Sequence, residues 1–244
     1  MNYSKEVLSQ LKKLNVYDIS PGFVSNMPKL LGNPDFWIIP NCRTYERHHY
    51  YCQSLMIGEH TGSHIDASVH TVPGGKTIDM YSPDYFIAPY KKYDLDIYNP
   101  QPGQCISMDQ IKECEKKGDF SPEPGDIVLL NYGYDKYYYQ ELEGEIEDGW
   151  YGKNTPGLSE EVEQYFVAKG ILAIGADTVN CEIPQIDGRP LSVIGHEKYF
   201  LPNNIPIMEG FVNLGKAPIE GIFMALPLPI KGGSGSPVRA ILWA

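Results

Sequence analysis

The chain has 244 residues, of which 42% are hydrophobic and 21% are charged, and its formal net charge is −11. This length suits one substantial core and is short for two ordinary domains, so the sequence predicts a single domain over residues 1–244. The acidic balance, with no local run of lysine and arginine, argues against a nucleic-acid partner, which would need a basic surface.

The first element is an amino-terminal helix over residues 1–15, in which apolar side chains recur at helical spacing and predict packing on the surface. Charges interrupt this stretch, so it lacks the apolar core of a signal peptide. No apolar run approaches the roughly 20 residues that a membrane-spanning helix needs. The five cysteines form no CxxC pair and none is close in sequence to the histidines described next, which predicts reduced thiols. We therefore expect a soluble, cytoplasmic protein without a membrane partner.

The segment HTGSHIDASVH at residues 60–70 gathers three histidines and one aspartate, which are side chains that zinc and manganese ions take as ligands. In one continuous strand the ends of this segment would stand about 33 Å apart. In one continuous helix Asp66 would point away from His60. The segment must therefore bend if its side chains share a metal ion.

A turn at residues 62–63 would fold His60 back toward His64 and Asp66, because glycine takes backbone angles closed to other residues. We place these ligands on a loop, with Asp66 and His70 entering a helical turn. The alternative is an exposed polar loop with incidental histidines.

Further along, two helices are marked by their caps. One runs from the capping box of Ser107 and Gln110 to Gly118, and the other from Ser159 to Gly170. Apolar runs bounded by turn signals predict strands at residues 127–133, 171–175, 205–214, 221–230 and 238–244. The last two runs flank the loop GGSGSP and should be neighbouring strands. The residues alone thus indicate a mixed α/β fold.

Two features of the sequence allow more than one interpretation. Asp177 follows the strand at 171–175, where it either orients a ligand histidine or forms a plain turn. The tyrosine-rich, acidic stretch at residues 132–154 could be a pocket lid or an oligomer contact, and we expect a solvated loop.

The segment at 60–70 resembles the hallmark H-x-G-T-H-x-D-x-P-x-H of a family of metal-dependent hydrolases, the cyclase family, which includes bacterial kynurenine formamidases and isatin hydrolases. The resemblance continues in the family's order through most of the chain, at PGDIVLL (124–130), PGLS (156–159), GADT (175–178), HEKYFLPNNIPIMEGFVNL (196–214) and FMALPLPIKGGSGSPVR (223–239). It implies a swivelling β/β/α-type domain with a strand-rich, barrel-like core.

The resemblance also implies roles for individual residues. One divalent ion would be held by His60, His64 and Asp66, and the aspartate could bridge to a second ion held by His196 and Glu209. His70 matches the residue that the family uses for proton transfer. The resemblance further implies homodimers or homotetramers.

This chain departs from the family pattern at three positions. Ser63 and Ser68 stand where threonine and proline are usual; the first keeps a hydroxyl, and the second loosens a rigid turn. Tyr17, in YDIS at 17–20, stands where kynurenine formamidases have a tryptophan in the substrate pocket. Tyrosine keeps an aromatic face, so we expect Tyr17 to contact the substrate.

A site of nitrogen and oxygen ligands with an open position suits activation of water. We therefore predict a metal-dependent hydrolase, with one or two zinc or manganese ions, that cleaves a small amide, lactam or ester. Two alternatives stay open: a metal-binding module without catalysis, and a carbon-carbon cyclase that uses the same metal as a Lewis acid. Structural zinc sites are usually rich in cysteine, which weighs against the first alternative.

Overall fold

The computed structural model of the protein describes residues 3–244, without the side chains of residues 41 and 42. Its α-helices are α1 (Tyr3–Leu11), α2 (Tyr45–His48), α3 (Met108–Gly118), α4 (Asp135–Leu142), α5 (Trp150–Lys153) and α6 (Glu160–Lys169). Its strands are β1 (Val16–Asp18), β2 (Trp37–Arg43), β3 (Cys52–Met56), β4 (His64–Asp66), β5 (Ile87–Asp94), β6 (Cys105–Ile106), β7 (Ile127–Asn131), β8 (Gly157–Leu158), β9 (Ala173–Ala176), β10 (Gln185–Ile186), β11 (Arg189–Pro190), β12 (Ile207–Glu209), β13 (Glu220–Met224), β14 (Gly235–Pro237) and β15 (Ile241–Trp243).

Nine strands form one curled sheet in the order β1-β15-β13-β5-β7-β9-β12-β4-β14. The strands β5, β7, β9 and β12 run parallel to one another, and the remaining pairs are antiparallel. This mixed α/β architecture with a strand-rich, barrel-like core confirms the predicted fold class. The carboxyl ends of the parallel strands meet at one edge of the sheet, where open α/β folds place their ligands.

Both faces of this sheet are covered. Along β7, Ile127 and Leu129 pack into one hydrophobic core, and Val128 and Leu130 pack into the other. A strand alternates its side chains between two faces, so a continuous apolar run is what a strand buried on both sides requires. The predicted runs at 127–133 and 171–175 are β7 and β9, and the last two runs pair directly as β13 and β15.

The predicted helix caps are largely confirmed. At α3, the Ser107 hydroxyl accepts from the backbone N–H of Gln110, whose side chain accepts from the backbone N–H of Ser107. The helix includes Gly118 and ends at Asp119, which takes the left-handed conformation expected of the glycine. Gly170 ends α6 in the left-handed conformation, at φ 70°.

The tyrosine-rich stretch at 132–154 is not the solvated loop that we expected. It contains α4 and α5, and its residues Tyr132, Tyr134, Tyr138 and Tyr151 are buried in the core. Its acidic middle, around residues 142–148, is mostly exposed, as are Lys136 and Tyr139. The count of acidic residues misled the prediction, because a tyrosine ring buries a large apolar area whatever the charge of its neighbours.

Two apolar surfaces are exposed instead. The predicted amino-terminal helix forms as α1, but Val7 and Leu8 remain exposed, so the predicted packing is wrong for the described part of this stretch, which begins at residue 3. The hairpin of β2 and β3 likewise exposes Ile39 and Leu55. Within residues 3–244, no helix has the length and apolar character needed to span a membrane.

Candidate metal centre

The site begins at a tight turn ahead of β4. Gly62 takes φ +60°, and a side chain there would meet the ring of Phe23 at 2.4 Å. This turn returns the chain so that His60 Nδ1 lies 2.6 Å from Asp66 Oδ1. The predicted turn is therefore confirmed. The predicted loop for all ligands is wrong in one respect, because His64 and Asp66 lie on a strand and only His70 enters a helical turn, Ser68–His70.

The pairing of β4 with β12 brings three ligands to one face. His64 lies opposite Glu209, and Asp66, two residues further along, points to the same side as His64. The separations are 3.5 Å from His64 Nε2 to Glu209 Oε2 and 3.4 Å from His64 Nε2 to Asp66 Oδ1. All three side chains are buried.

His196 arrives from a separate element, a π-helical turn over Gly195–Tyr199. Its Nε2 lies 3.5 Å from Asp66 Oδ2 and 3.7 Å from Glu209 Oε1. The structure therefore brings together all five residues that the resemblance proposed as ligands. They form two groups, His60 with His64 and Asp66, and Asp66 with His196 and Glu209, within which the ligand atoms lie within 4.8 Å of one another. The two oxygens of Asp66 face different groups, so this carboxylate can bridge two ions.

Further hydrogen bonds orient these ligands. His64 Nδ1 donates to the Gly62 carbonyl at 2.8 Å, which leaves its Nε2 toward the carboxylates. His60 Nε2 lies 2.9 Å from the Ser234 hydroxyl, which donates to Glu59 at 2.6 Å. Such outer contacts fix which ring nitrogen is available to a metal ion.

The electrostatics of the cluster fit a cation. Burial alone would lower the pKa of His64, but its hydrogen bond to Glu209 and the charges of Asp66 and Glu209 outweigh burial and raise that pKa to about 9. Burial raises the pKa of Glu209 above its ordinary range, because a buried carboxylate lacks solvation. The cluster thus combines buried carboxylates with imidazoles whose protonated forms are stabilised. A divalent ion can take the place of those protons, because carboxylates and imidazoles are its ligands.

The site opens into a cavity of about 220 Å³. Its lining includes the ligands together with apolar Leu30, Ile183 and Val193 and the side-chain amides of Asn33 and Asn180. A pocket of this size, mostly apolar with a few polar groups, suits a small organic molecule.

His70 lies beside the ligands without joining either group. Its ring centroid is 4.3 Å from that of His60 and 6.2 Å from that of His196, and the side chain lines the cavity and is partly exposed. Partial burial lowers the pKa of His70 below its ordinary value. A neutral imidazole at the rim of the cavity can accept a proton and return it.

Tyr17 lies away from this cavity. It is on β1, opposite Leu242 of β15, and packs against the core on one face of the sheet. The geometry of one chain thus does not place Tyr17 against a substrate in the 220 Å³ cavity.

Two residues near the site were missed from the sequence. Glu182 is fully buried, and its Oε1 lies 2.5 Å from His196 Nδ1. The backbone N–H of Cys181, which is distant in sequence from residues 60–70, donates to Glu209 Oε1 at 3.0 Å. Asp177 does not orient a histidine, because its carboxylate accepts the backbone N–H groups of Tyr132 and Tyr134. No signal in the sequence favoured Glu182 over Asp177. Both carboxylates follow β9, and the path of the loop decides which of them points toward His196.

The fold and the site together define a metal-dependent enzyme of the α/β class. Residues 17–183 match the family model described as "Putative cyclase", and the chain belongs to this family. An isatin hydrolase of Roseibium aggregatum is 27% identical over 194 residues, which cover 77% of this chain and 72% of that protein. A kynurenine formamidase of Erythrobacter litoralis is 25% identical over 233 residues, or 93% of each chain. These relatives place the chain among metal-dependent hydrolases.

Solved structures agree on the fold. An isatin hydrolase bound to the product analogue thioisatinate superposes with a TM-score of 0.84 at 23% identity, covering 99% of this chain and 98% of that one. Isatin hydrolase A from Ralstonia solanacearum gives a TM-score of 0.82 at 22% identity, covering 100% and 97%. At these identities the likeness supports the shared architecture.

Proposed function

We propose that this protein hydrolyses a small amide, lactam or ester with one or two divalent ions, zinc or manganese, held by His60, His64, Asp66, His196 and Glu209. The observation that carries the proposal is that Asp66 is shared by two buried three-ligand groups at the floor of a small cavity. When bound, a divalent ion there would polarise a substrate carbonyl and lower the pKa of a water ligand toward about 7.

The protein's own residues supply the remaining steps. The apolar wall of Leu30, Ile183 and Val193 holds a flat substrate and limits the access of water to it. A ring nitrogen of His70 accepts a proton during the attack on the carbonyl and donates it to the departing nitrogen or oxygen. The lowered pKa of His70 favours the neutral form that this sequence of transfers needs at neutral pH.

The names of the relatives suggest the substrates to test first. Metal-loaded protein should be assayed with N-formyl-anilines, isatin-like lactams and small lactones, with elemental analysis of the same samples. We expect turnover of at least one class with addition of water to the product mass. A product of unchanged mass would support the carbon-carbon cyclase, and metal binding without any turnover would support the module without catalysis.

We also propose a homodimer or homotetramer in the cytoplasm. One face of the β2 and β3 hairpin exposes Trp37, Ile39 and Met56 together, and this face supports an assembly, because an apolar patch on a protein surface is typical of an interaction site. Since Tyr17 lies outside the cavity of its own chain, its predicted contact with the substrate would require a cavity formed by a second copy.

A further inference from the structure

The carboxylate of Glu182 is buried behind the ring of His196. Its Oε1 is 2.5 Å from His196 Nδ1, on the side of the ring opposite the Nε2 atom that faces Asp66 and Glu209. Its second oxygen, Oε2, is buried and has no hydrogen-bond partner among the described residues. Burial of a carboxylate costs free energy, and here the hydrogen bond to His196 is the contact that offsets this cost.

We propose that Glu182 is a positioning residue that fixes His196 as a metal ligand; this inference rests on the proposed function. A carboxylate at Nδ1 requires a proton on that nitrogen, so Nε2 is left unprotonated and available to a metal ion. The hydrogen bond to a carboxylate oxygen also holds the plane of the ring and makes Nε2 a stronger donor to the ion.

The backbone on both sides is shaped for this contact. A Cβ atom on Gly195, next to His196, would lie 2.4 Å from both Cγ and Oε1 of Glu182. Only a glycine at position 195 therefore allows the carboxylate to reach the ring. The carbonyl of Glu182 accepts from Leu158 N–H at 2.9 Å, which anchors its backbone to β8.

The neighbouring residue, Cys181, also orients a candidate ligand. The N–H of Cys181 holds Glu209 at 3.0 Å, so two consecutive residues of the loop after β9 orient two of the three ligands in the group of Asp66, His196 and Glu209. A displacement of this loop would disturb this group and leave the group of His60, His64 and Asp66 in place.

The test compares Glu182→Gln and Glu182→Ala with a matched control, Glu115→Gln. Glu115 is also a buried glutamate, and its hydrogen bonds go to Tyr93, Tyr165 and Lys112. We expect Glu182→Gln to weaken zinc or manganese binding roughly 10- to 100-fold, the usual effect of removing an outer partner of a ligand, and Glu182→Ala to weaken it at least as much. Binding is measured by competition with a chelator, independently of turnover.

Gly195→Ala tests the same contact without altering a charge. It should weaken metal binding as Glu182→Gln does, because its Cβ would displace the carboxylate. In zinc-loaded protein with ¹⁵N-labelled histidine, the Nδ1 proton of His196 should resonate far downfield in the parent and in Glu115→Gln, and should lose that shift in both Glu182 variants. Unfolding curves for every variant show that the proteins remain folded at the temperature of measurement.

The inference is overturned if Glu182→Gln binds metal as tightly as the parent, or if Glu115→Gln weakens binding as much. Failure of the proposed function looks different. In that case the unaltered protein itself binds no divalent ion, or binds one and turns over none of the substrates, whatever residue stands at position 182.

Discussion

Asp66 decides how many ions the site can hold. Its Oδ1 faces His60 and His64, and its Oδ2 faces His196, so neither three-ligand group is complete without it. The nearby His70 contributes to neither group. Substitutions of His64 and His70, which belong to one motif, are therefore expected to have different effects on metal binding.

The first prediction separates metal binding from proton transfer. His64→Ala removes a ligand and should release or weaken the metal. His70→Ala should keep most of the metal and lose turnover by about 10²- to 10⁴-fold, the usual contribution of a positioned acid or base. Elemental analysis and steady-state rates measure the two effects, and His48→Ala, an exposed histidine outside the site, is the control. Equal loss of metal from both variants would make His70 a ligand.

The second prediction concerns Glu163, whose pKa is raised to about 8 by burial and by the charge of Glu182. As the pH rises above 4.5, this residue ionises in the unfolded chain and stays protonated in the folded one. The unfolded state then binds fewer protons, so the contribution of Glu163 to stability is present at low pH and is lost between about pH 4.5 and 8.

Glu163→Gln mimics the neutral acid and should remove this loss. Its free energy of unfolding relative to the parent should rise with pH, by at most about 1.4 kcal/mol per pH unit, between pH 5 and 8. Urea titrations at several pH values measure it, and Glu161→Gln, on the exposed face of the same helix, is the control. A difference that stays constant with pH would show that Glu163 is ionised in the folded protein.

The five candidate ligands could be named because they match positions in the family's motifs, and for His196 and Glu209 the resemblance was the only signal. Glu182 could not be named, since its role depends on a carboxylate reaching His196 from a loop whose path is set by contacts distant in sequence. Tyr17 shows the converse limit: its match to a family position gave it a role, and the strand pairing with β15 carries it away from the cavity.

At the scale of the elements, the turn at Gly62 joins sequence to site. Its positive φ and its closeness to Phe23 are two separate demands for glycine. Gly74 shares only the first, since it takes φ +74° with open space around its Cβ position. The pair therefore separates backbone strain from steric conflict.

The third prediction compares Gly62→Ala with Gly74→Ala. The control should cost about 1 kcal/mol of stability from the left-handed conformation alone, whereas Gly62→Ala should cost about 2–4 kcal/mol, because the new methyl group also displaces the Phe23 ring. It should weaken metal binding as well, since His60 and His64 flank the turn. Chemical denaturation and chelator competition measure both. Similar losses of stability in the two variants would mean that Phe23 moves aside freely.

Elements with strong local signals were predicted well. The capping box of α3 and the apolar runs of β7 and β9 depend on neighbouring residues, and these formed as expected. The ligand strand β4 was missed because its three residues have no periodicity of their own; pairing with β12 and β14 makes them a strand. The burial of the tyrosines after β7 was also missed, because it depends on contacts with residues distant in sequence.

At the scale of the molecule, the fourth prediction concerns assembly. Ile39→Ser with Met56→Ser should shift a homodimer or homotetramer toward the monomer, because these exposed side chains, 53% and 52% accessible, lie on the same face of the hairpin. Analytical ultracentrifugation over a concentration series measures the shift. Leu191→Ser, which alters a leucine that is 60% accessible elsewhere, should leave the mass unchanged. An unaltered mass for the hairpin variant would place the interface on another surface.

The position of β4 also sets when the site can exist during synthesis. The motif at residues 60–70 is synthesised well before both strands that flank β4, because β12 and β14 lie more than a hundred residues further along the chain. Until those strands arrive, His64 and Asp66 have neither Glu209 beside them nor a sheet to hold them. The nascent protein thus carries its candidate ligands at 60–70 without a finished site until β12 and β14 are made, and an ion that needs both groups could be captured only after the sheet closes around it.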